Sequence, residues 1–271
     1  MLKALHSYDR PVEIADGIFW VGYFDKEAHL ACNPFLIRSA TNRAVLIDGG
    51  SRPDFPAVMM KILQVGVSPE HLQALIYQHF DPDLCGSMPH LLDISENPDI
   101  KVYTEGRNTN FINHYVEREQ QKFIHSIASI NNKYLLEGRE LRFTNTPYCH
   151  SPGSFVTLDV TTKTLFSSDL FGSLTPHWEL FANLTPDCHT CIDHANCPNH
   201  RDFCPLPGII QFHQEIMPCN KALRNALKVI RALDPETIAP QHGSIIQGKE
   251  HIALVIDILD KLDNIGIDGL P

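Results

Sequence analysis

The chain has 271 residues, and its 22 lysines and arginines against 32 aspartates and glutamates give a formal net charge of −10. This acidic balance argues against nucleic acid or an anionic membrane surface as a partner. The first ten residues lack the apolar run of a signal peptide, and no segment approaches the roughly eighteen uncharged apolar residues of a membrane span, so we expect a cytoplasmic protein.

The first half of the chain predicts an antiparallel meander that leads into strand–helix units. Its predicted strands are short, apolar and separated by polar segments, and they cover residues 17–23, 34–37, 44–48, 75–77 and 102–103. The predicted helices between and after them cover residues 55–65, 87–92 and 108–128. This alternation of strands and helices is typical of a layered α/β fold.

The loop after the predicted strand 75–77 carries one imidazole and two carboxylates at alternate positions, namely His79, Asp81 and Asp83. Such a trio can converge on one point. Three nitrogen and oxygen donors suit iron, manganese or zinc better than they suit a nucleophile site. The alternative for this segment alone is a solvated acidic turn at the end of a strand.

The second half of the chain repeats the plan, with further ligand-type residues at strand ends. Its predicted strands cover residues 141–145, 154–159 and 164–167 and a short segment from Ile238, and its predicted helices cover 221–233 and 252–262. The candidate ligands at the strand ends are His150, Asp169 and His242. Two such halves face to face predict an α/β (α+β) fold, a four-layer αββα sandwich with the site along one edge.

These residues, taken in order, resemble a known family. The set His79-x-Asp81-x-Asp83, His150, Asp169 and His242 is similar to the metallo-β-lactamase fold and, within it, to the diiron branch of the flavodiiron proteins. That branch reads His-x-Glu-x-Asp-His, a turn containing His-x-Pro, Leu-Phe-Ser-x-Asp-x-Phe-Gly, and Pro-x-His-Gly. The resemblance runs from about residue 17 to residue 255. It is strongest to the stand-alone oxygen-binding diiron proteins, which keep this domain and lack the flavodoxin domain.

The resemblance implies two irons and assigns their ligands. One iron would be held by His79, Asp81 and His150, the other by Asp83 and His242, and Asp169 would bridge them. A carboxylate at position 81, where the zinc hydrolases of the superfamily have histidine, favours iron over a zinc-hydroxide site. Leu84 stands where the family has a further histidine, which leaves the second iron one ligand short and open to water, O2 or NO.

Three functions from different classes are consistent with this resemblance. The first is an oxygen or nitric oxide sensor that signals through a partner protein. The second is an O2 or NO reductase that receives electrons from a separate flavoprotein or from a cysteine-bound cluster, and the third is a zinc hydrolase of the lactamase type. We expect no FMN domain in the chain, because no glycine-rich phosphate loop is present, and this favours sensing over turnover. The sequence leaves open whether the protein is an enzyme. Because members of the family are frequently dimers, the resemblance implies a homodimer.

Four of the eight cysteines are crowded into one stretch. They have the spacing C-x2-C-x5-C-x6-C and are Cys188, Cys191, Cys197 and Cys204. In a reducing compartment such cysteines are usually thiols or metal ligands. We predict that they hold a [4Fe-4S] cluster or a zinc ion, in an insertion at about 173–219 of a single domain over 1–271. Unligated thiols in a surface loop are the alternative.

Three further residues fall where the resemblance places the wall of the pocket. These are His29, Cys32 and Cys85. A buried thiol usually behaves as a small hydrophobe. We therefore do not predict them as ligands.

Overall fold

The computed structural model describes residues 8–25, 30–175, 178–191 and 204–270 of the protein. The strands of these residues are β1 Val12–Ala15, β2 Ile18–Trp20, β3 Tyr23–Asp25, β4 Leu30–Cys32, β5 Phe35–Arg38, β6 Ala44–Ile47, β7 Leu72–Ile76, β8 Lys101–Thr104, β9 Ile124–Ser126, β10 Lys133–Leu136, β11 Arg139–Asn145, β12 Phe155–Asp159, β13 Thr164–Phe166, β14 Thr237–Ala239 and β15 Ile246–Gln247. The α-helices are α1 Phe55–Gln64, α2 Pro82–Cys85, α3 Met88–Ser95, α4 Thr109–Ile112, α5 Leu206–Ile216, α6 Asn220–Leu233 and α7 Lys249–Asp260.

The strands form two large sheets and one small hairpin. The first sheet has the order β1-β2-β5-β6-β7-β8-β9, antiparallel as far as β6 and parallel from β6 to β9. The second has the order β10-β11-β12-β13-β14-β15, and within it β13 and β14 run parallel. Strands β3 and β4 pair with each other. The predicted antiparallel meander is confirmed, since Ile18 pairs with Ile37 and Phe35 with Ile47.

The apolar side chains divide into three clusters that separate four layers. The cluster between the two sheets contains the buried rings of Trp20, Phe35, Phe155 and Phe166. Burying each such ring stabilises the fold by roughly 1.5–3 kcal/mol. One outer cluster packs α1 and α3 against the first sheet, and the other packs α5, α6 and α7 against the second. The predicted αββα sandwich is therefore confirmed.

The parallel pair in the second sheet brings two predicted ligands to one edge. Phe166 at the end of β13 is opposite Ala239 at the end of β14. Asp169 and His242 each lie three residues beyond these partners. Because both strands leave the sheet in the same direction, the two side chains start from neighbouring positions.

Two parts of the chain differ from the sequence predictions. The predicted helix at 108–128 is wrong, because α4 ends at Ile112 and the chain passes through a short 3-10 helix at Gln121–Phe123 into β9. Strand β9 pairs in parallel with β8, which satisfies backbone groups at the edge of the first sheet. In the predicted insertion, α5 begins with a proline in its first turn and buries Ile209 and Phe212 against the second sheet. No helix had been predicted in this segment.

Within the described ranges, no helix combines the length and the apolar character that a membrane span requires.

Candidate metal centre

The loop after β7 is fixed at its start by two backbone hydrogen bonds of Gln78. Gln78 donates its backbone N–H to Oδ1 of Asp48 at 3.1 Å, and its carbonyl accepts the N–H of Phe155 from the second sheet at 3.3 Å. Asp81 then lies in the extended conformation at the N-cap of α2, where Pro82 is the first helical residue. These contacts hold the loop across the edge where the two sheets meet.

The first group of candidate ligands lies around His150. Its Nε2 atom is 2.9 Å from Oδ2 of Asp169 and 3.2 Å from Oδ2 of Asp81. Nε2 of His79 lies 3.7 Å and 3.6 Å from the same two oxygens. The ligand atoms of His79, His150 and Asp169 all lie within 4.8 Å of one another, which is close enough for them to bind one metal ion.

A second group lies on the other side of Asp169. Nε2 of His242 is 3.1 Å from Oδ2 of Asp83 and 3.8 Å from Oδ1 of Asp169. The carboxylate of Asp169 therefore faces one group with each oxygen. The sulfur of Cys32 also belongs to this group, with its ligand atom within 4.8 Å of those of Asp83 and His242. The structure thus brings all six predicted ligands together and adds a cysteine that had not been predicted as one.

Two of the three histidines are oriented by a hydrogen bond from the ring nitrogen that faces away from the site. Nδ1 of His79 lies 2.8 Å from Oγ of Ser168. Nδ1 of His242 donates to the carbonyl of Ala31 at 2.8 Å. Such contacts fix the tautomer and turn Nε2 towards a metal. The loops that supply Ser168 and Ala31 are therefore part of the site's support.

The histidines and carboxylates of the first group shift one another's pKa values. Burial alone would raise the pKa of the Asp169 carboxyl, but the imidazoles of His79, His150 and His242 hold that pKa well below its ordinary value. Burial likewise acts to lower the pKa of His150, yet the carboxylates of Asp169 and Asp81 raise it to about 10. The carboxylates therefore favour positive charge at this point. A metal cation supplies such charge.

Several buried polar atoms at the centre are placed to bind a metal ion. Nε2 of His79, Oδ2 of Asp83 and Oδ1 of Asp169 are buried and have no hydrogen-bond partner among the described residues. An unpaired buried polar atom costs on the order of 1–3 kcal/mol unless something satisfies it. Oδ2 of Asp83 is in ion-pair range of His242, although the geometry is not that of a hydrogen bond. The donor set of nitrogens and carboxylate oxygens fits two first-row metal ions.

Two buried residues support the centre and were not identified from the sequence. Burial raises the pKa of Asp48 to about 7, although His79 acts in the opposite sense. Its place after β6, before two glycines, was a usable signal. His213 in α5 accepts the backbone N–H of Phe171 through Nε2 at 3.0 Å and bonds through Nδ1 to the carbonyl of Ile209 at 2.7 Å. The sequence around His213 contains no pattern that sets it apart from the other histidines of the chain.

The predicted cysteine cluster has only part of its residues within the described ranges. Cys197 lies outside them. Cys188 is buried in the outer cluster beside α5 and α7, with its sulfur 3.8 Å from Oγ1 of Thr185. Among the described residues, the groups of three or more potential ligands close enough for one ion are the two above, and neither contains Cys188, Cys191 or Cys204. A metal at these cysteines stays a prediction.

Comparisons with known proteins agree with this architecture. An uncharacterized protein of Methanocaldococcus jannaschii is 27% identical over 256 residues, which are 91% of this chain and 59% of that protein. A nitric oxide reductase of Moorella thermoacetica is 26% identical over 249 residues, 87% of this chain and 57% of that protein. The chain thus spans less than two thirds of the length of these relatives.

A solved structure matches over nearly its full length. The peroxy diiron species of chemotaxis sensor ODP superposes with a TM-score of 0.72 at 22% identity, over 96% of this chain and 97% of that one. The resemblance inferred from the ordered motifs is confirmed, as is the metallo-β-lactamase fold. A family model described as ODP family beta lactamase matches residues 30–243, and the chain therefore belongs to that family.

Proposed function

We propose that the protein holds two iron ions at this edge and binds O2 or NO there. One position would take His79, Asp81 and His150, the other Asp83 and His242, with Asp169 between them. The observation that carries the proposal is that the two oxygens of Asp169 face different ligand groups. When bound, the iron pair supplies the coordination positions and the electrons that a diatomic gas requires.

The first ligand group is accessible to solvent on one side. The side chains of His150 and Asp81 are 24% and 32% exposed, whereas those of His79 and Asp169 are 1% and 4% exposed. A small molecule can therefore approach from the side of His150 and Asp81. Leu84 is fully buried in the outer cluster of the first sheet and has no atom that binds a metal. The second position keeps room for an exogenous ligand for that reason.

Sensing through a protein partner is the role that we propose for the bound gas. The chain matches 97% of the chemotaxis sensor ODP but only 57% of the nitric oxide reductase. A reductase needs rapid delivery of electrons to the bound gas. Reduction of O2 or NO with electrons from a separate protein is the second candidate, favoured by the 26% identity to that reductase. We also propose that 1–271 is one domain with an insertion at about 173–219, and that it forms a homodimer.

Metal content and turnover together test these roles. We expect anaerobically purified protein to hold two irons per chain at this site and to change its absorption spectrum once on exposure to O2 or NO. Asp169→Ala, purified in parallel, is the control for metal bound elsewhere. Zinc without iron at the site would indicate the hydrolase instead. Rapid steady consumption of O2 or NO with a flavin reductase and NADH would contradict the sensor and establish the reductase.

A further inference from the structure

We infer that Cys32 is a thiolate ligand of the second metal position, together with Asp83, His242 and Asp169. This inference rests on the proposed dinuclear centre. The side chain of Cys32 is 1% exposed, and its sulfur lies within 4.8 Å of the ligand atoms of Asp83 and His242. Ligands on one ion, with bonds of roughly 2.0–2.3 Å, lie up to about 4.5 Å apart, so small side-chain shifts complete the set.

The backbone around Cys32 is tied directly to the loop of His242. On one side, the carbonyl of Ala31 accepts Nδ1–H of His242 at 2.8 Å. On the other side, Asn33 donates its backbone N–H to the carbonyl of Gln241 at 2.9 Å. The side-chain amide of Asn33 adds two bonds of 2.9 Å to the carbonyls of Pro240 and Gly243. Cys32 is therefore held between two anchor points on the loop that presents His242.

The sulfur of Cys32 has two polar neighbours. They are the imidazole of His242 and the hydroxyl of Tyr23. Tyr23 is the strand partner of Cys32, and a hydroxyl that donates to a ligand atom is a typical outer contact of a metal site. Oδ1 of Asp169 independently points to a ligand here, since this buried oxygen has no hydrogen-bond partner in the part of the chain that the structure describes and lies 3.8 Å from Nε2 of His242.

A thiolate at this point makes the two metal positions chemically different. The first position has only nitrogen and oxygen donors, whereas the second gains a soft sulfur donor from a separate part of the chain. Binding breaks the S–H bond of Cys32, forms a sulfur–metal bond and releases the proton to the buffer, with no change of oxidation state. Leu84 contributes no ligand to this position, and Cys32 would add a donor there beside Asp83, His242 and Asp169.

Cobalt(II) added to metal-free protein provides the test, because thiolate ligation gives Co(II) a charge-transfer band in the near ultraviolet. We expect the band to be stronger in wild type than in Cys32→Ser at equal cobalt, and the second cobalt to bind about tenfold or more weakly in the variant. Any band from cobalt bound by the cysteines of the insertion is the same in both proteins and cancels when the two spectra are subtracted. Cys85→Ala removes a buried thiol of the same helix as Asp83 and is the matched control, which should keep the full band.

The outcomes separate this inference from the proposed function. Identical wild-type and Cys32→Ser spectra, with Asp169→Ala still reducing cobalt uptake, would overturn the role of Cys32 and leave the dinuclear centre standing. Uptake unaffected by Asp169→Ala would overturn both. Should Cys32→Ser fail to fold, alkylation of wild type followed by peptide mass mapping serves instead. Cobalt should slow alkylation of Cys32 at least about tenfold more than that of Cys85, and equal slowing would refute the assignment.

Discussion

The imidazole of His79 meets the hydroxyl of Ser168 through Nδ1 at 2.8 Å, while its Nε2 faces the carboxylates of the first ligand group. Ser168 is next to Asp169, so one short segment supplies both a ligand and the support of another. We expect Ser168→Ala to weaken iron binding at the first position about 10- to 100-fold, because the ring loses the contact that sets its tautomer. Titration of metal-free protein with Fe(II) under anaerobic conditions measures this.

The control for that variant is Ser95→Ala. Ser95 is also buried, but its hydroxyl donates to the carbonyl of Leu92 within α3. It should lose a similar hydrogen bond without any effect on iron affinity. Equal iron affinity in wild type and Ser168→Ala would show that His79 needs no such support.

The bridging position of Asp169 makes its loss more damaging than the loss of a ligand to one metal. We expect Asp169→Ala to purify with neither iron, and Asp81→Ala to lose chiefly the iron at the first position. Iron analysis of the two variants, with Asp257→Ala at an exposed ion pair as control, measures the difference. Two irons retained in Asp169→Ala would disprove the dinuclear arrangement.

Leu84 controls how many open positions the second metal has. We expect Leu84→His to add a ligand and to slow the reaction of the reduced centre with O2 by about tenfold or more, since an imidazole then competes for the open position. Stopped-flow absorption after anaerobic reduction measures the rate. Leu84→Ile, which keeps an apolar side chain without a metal-binding atom in the buried cluster, should react as wild type does. A wild-type rate in the histidine variant at full iron loading would rule out this role.

His213 predicts a pH dependence of stability. Burial lowers its pKa to about 4, against about 6.5 in the unfolded chain. Between these values His213 binds more protons in the unfolded chain than in the native protein, so its contribution to the free energy of unfolding decreases as the pH falls, whereas buried Asp48 acts in the opposite sense. The contribution is complete above pH about 6.5 and is lost as the pH falls through about 4, with a total on the order of 3 kcal/mol.

Denaturant unfolding of metal-free protein at several pH values in this window measures the effect. His213→Gln should reduce the slope, because glutamine does not titrate there while its amide oxygen can still accept the N–H of Phe171. His251→Gln, at an exposed histidine of α7, should keep the wild-type slope. The same slope in wild type and His213→Gln would mean that other groups cause the acid sensitivity.

The cysteines of the insertion give a further prediction. Crowded thiolates repel one another unless a cation or cluster compensates their charge. We expect Cys191→Ser to abolish a metal centre held with Cys188, Cys197 and Cys204 while the iron pair stays in place. Sulfide with additional iron would identify a cluster, and stoichiometric zinc without sulfide would identify a zinc site. An unchanged metal content would show that these residues are only thiols.

Sequence patterns alone predicted the layers of the fold and the strand ends at which ligand-type residues lie. A short apolar strand that ends in a histidine or aspartate near glycine is a local signal, and it located His79, Asp169 and His242 before any contact was known. Local signals failed where pairing between distant segments decides the conformation. Residues 124–126 form a strand because β8 offers them a free edge, which periodicity along the chain does not reveal.

Which donors share a metal position depends on contacts between segments that are distant in the sequence. The assignment of one oxygen of Asp169 to each group depends on the parallel alignment of β13 with β14 and on the crossing loop after β7. Cys32 reads as an ordinary buried thiol in the sequence, because the bonds that bring it to His242 join the two ends of the chain. A sulfur becomes a candidate ligand through the distance to its neighbours, and that distance is a property of the folded chain alone.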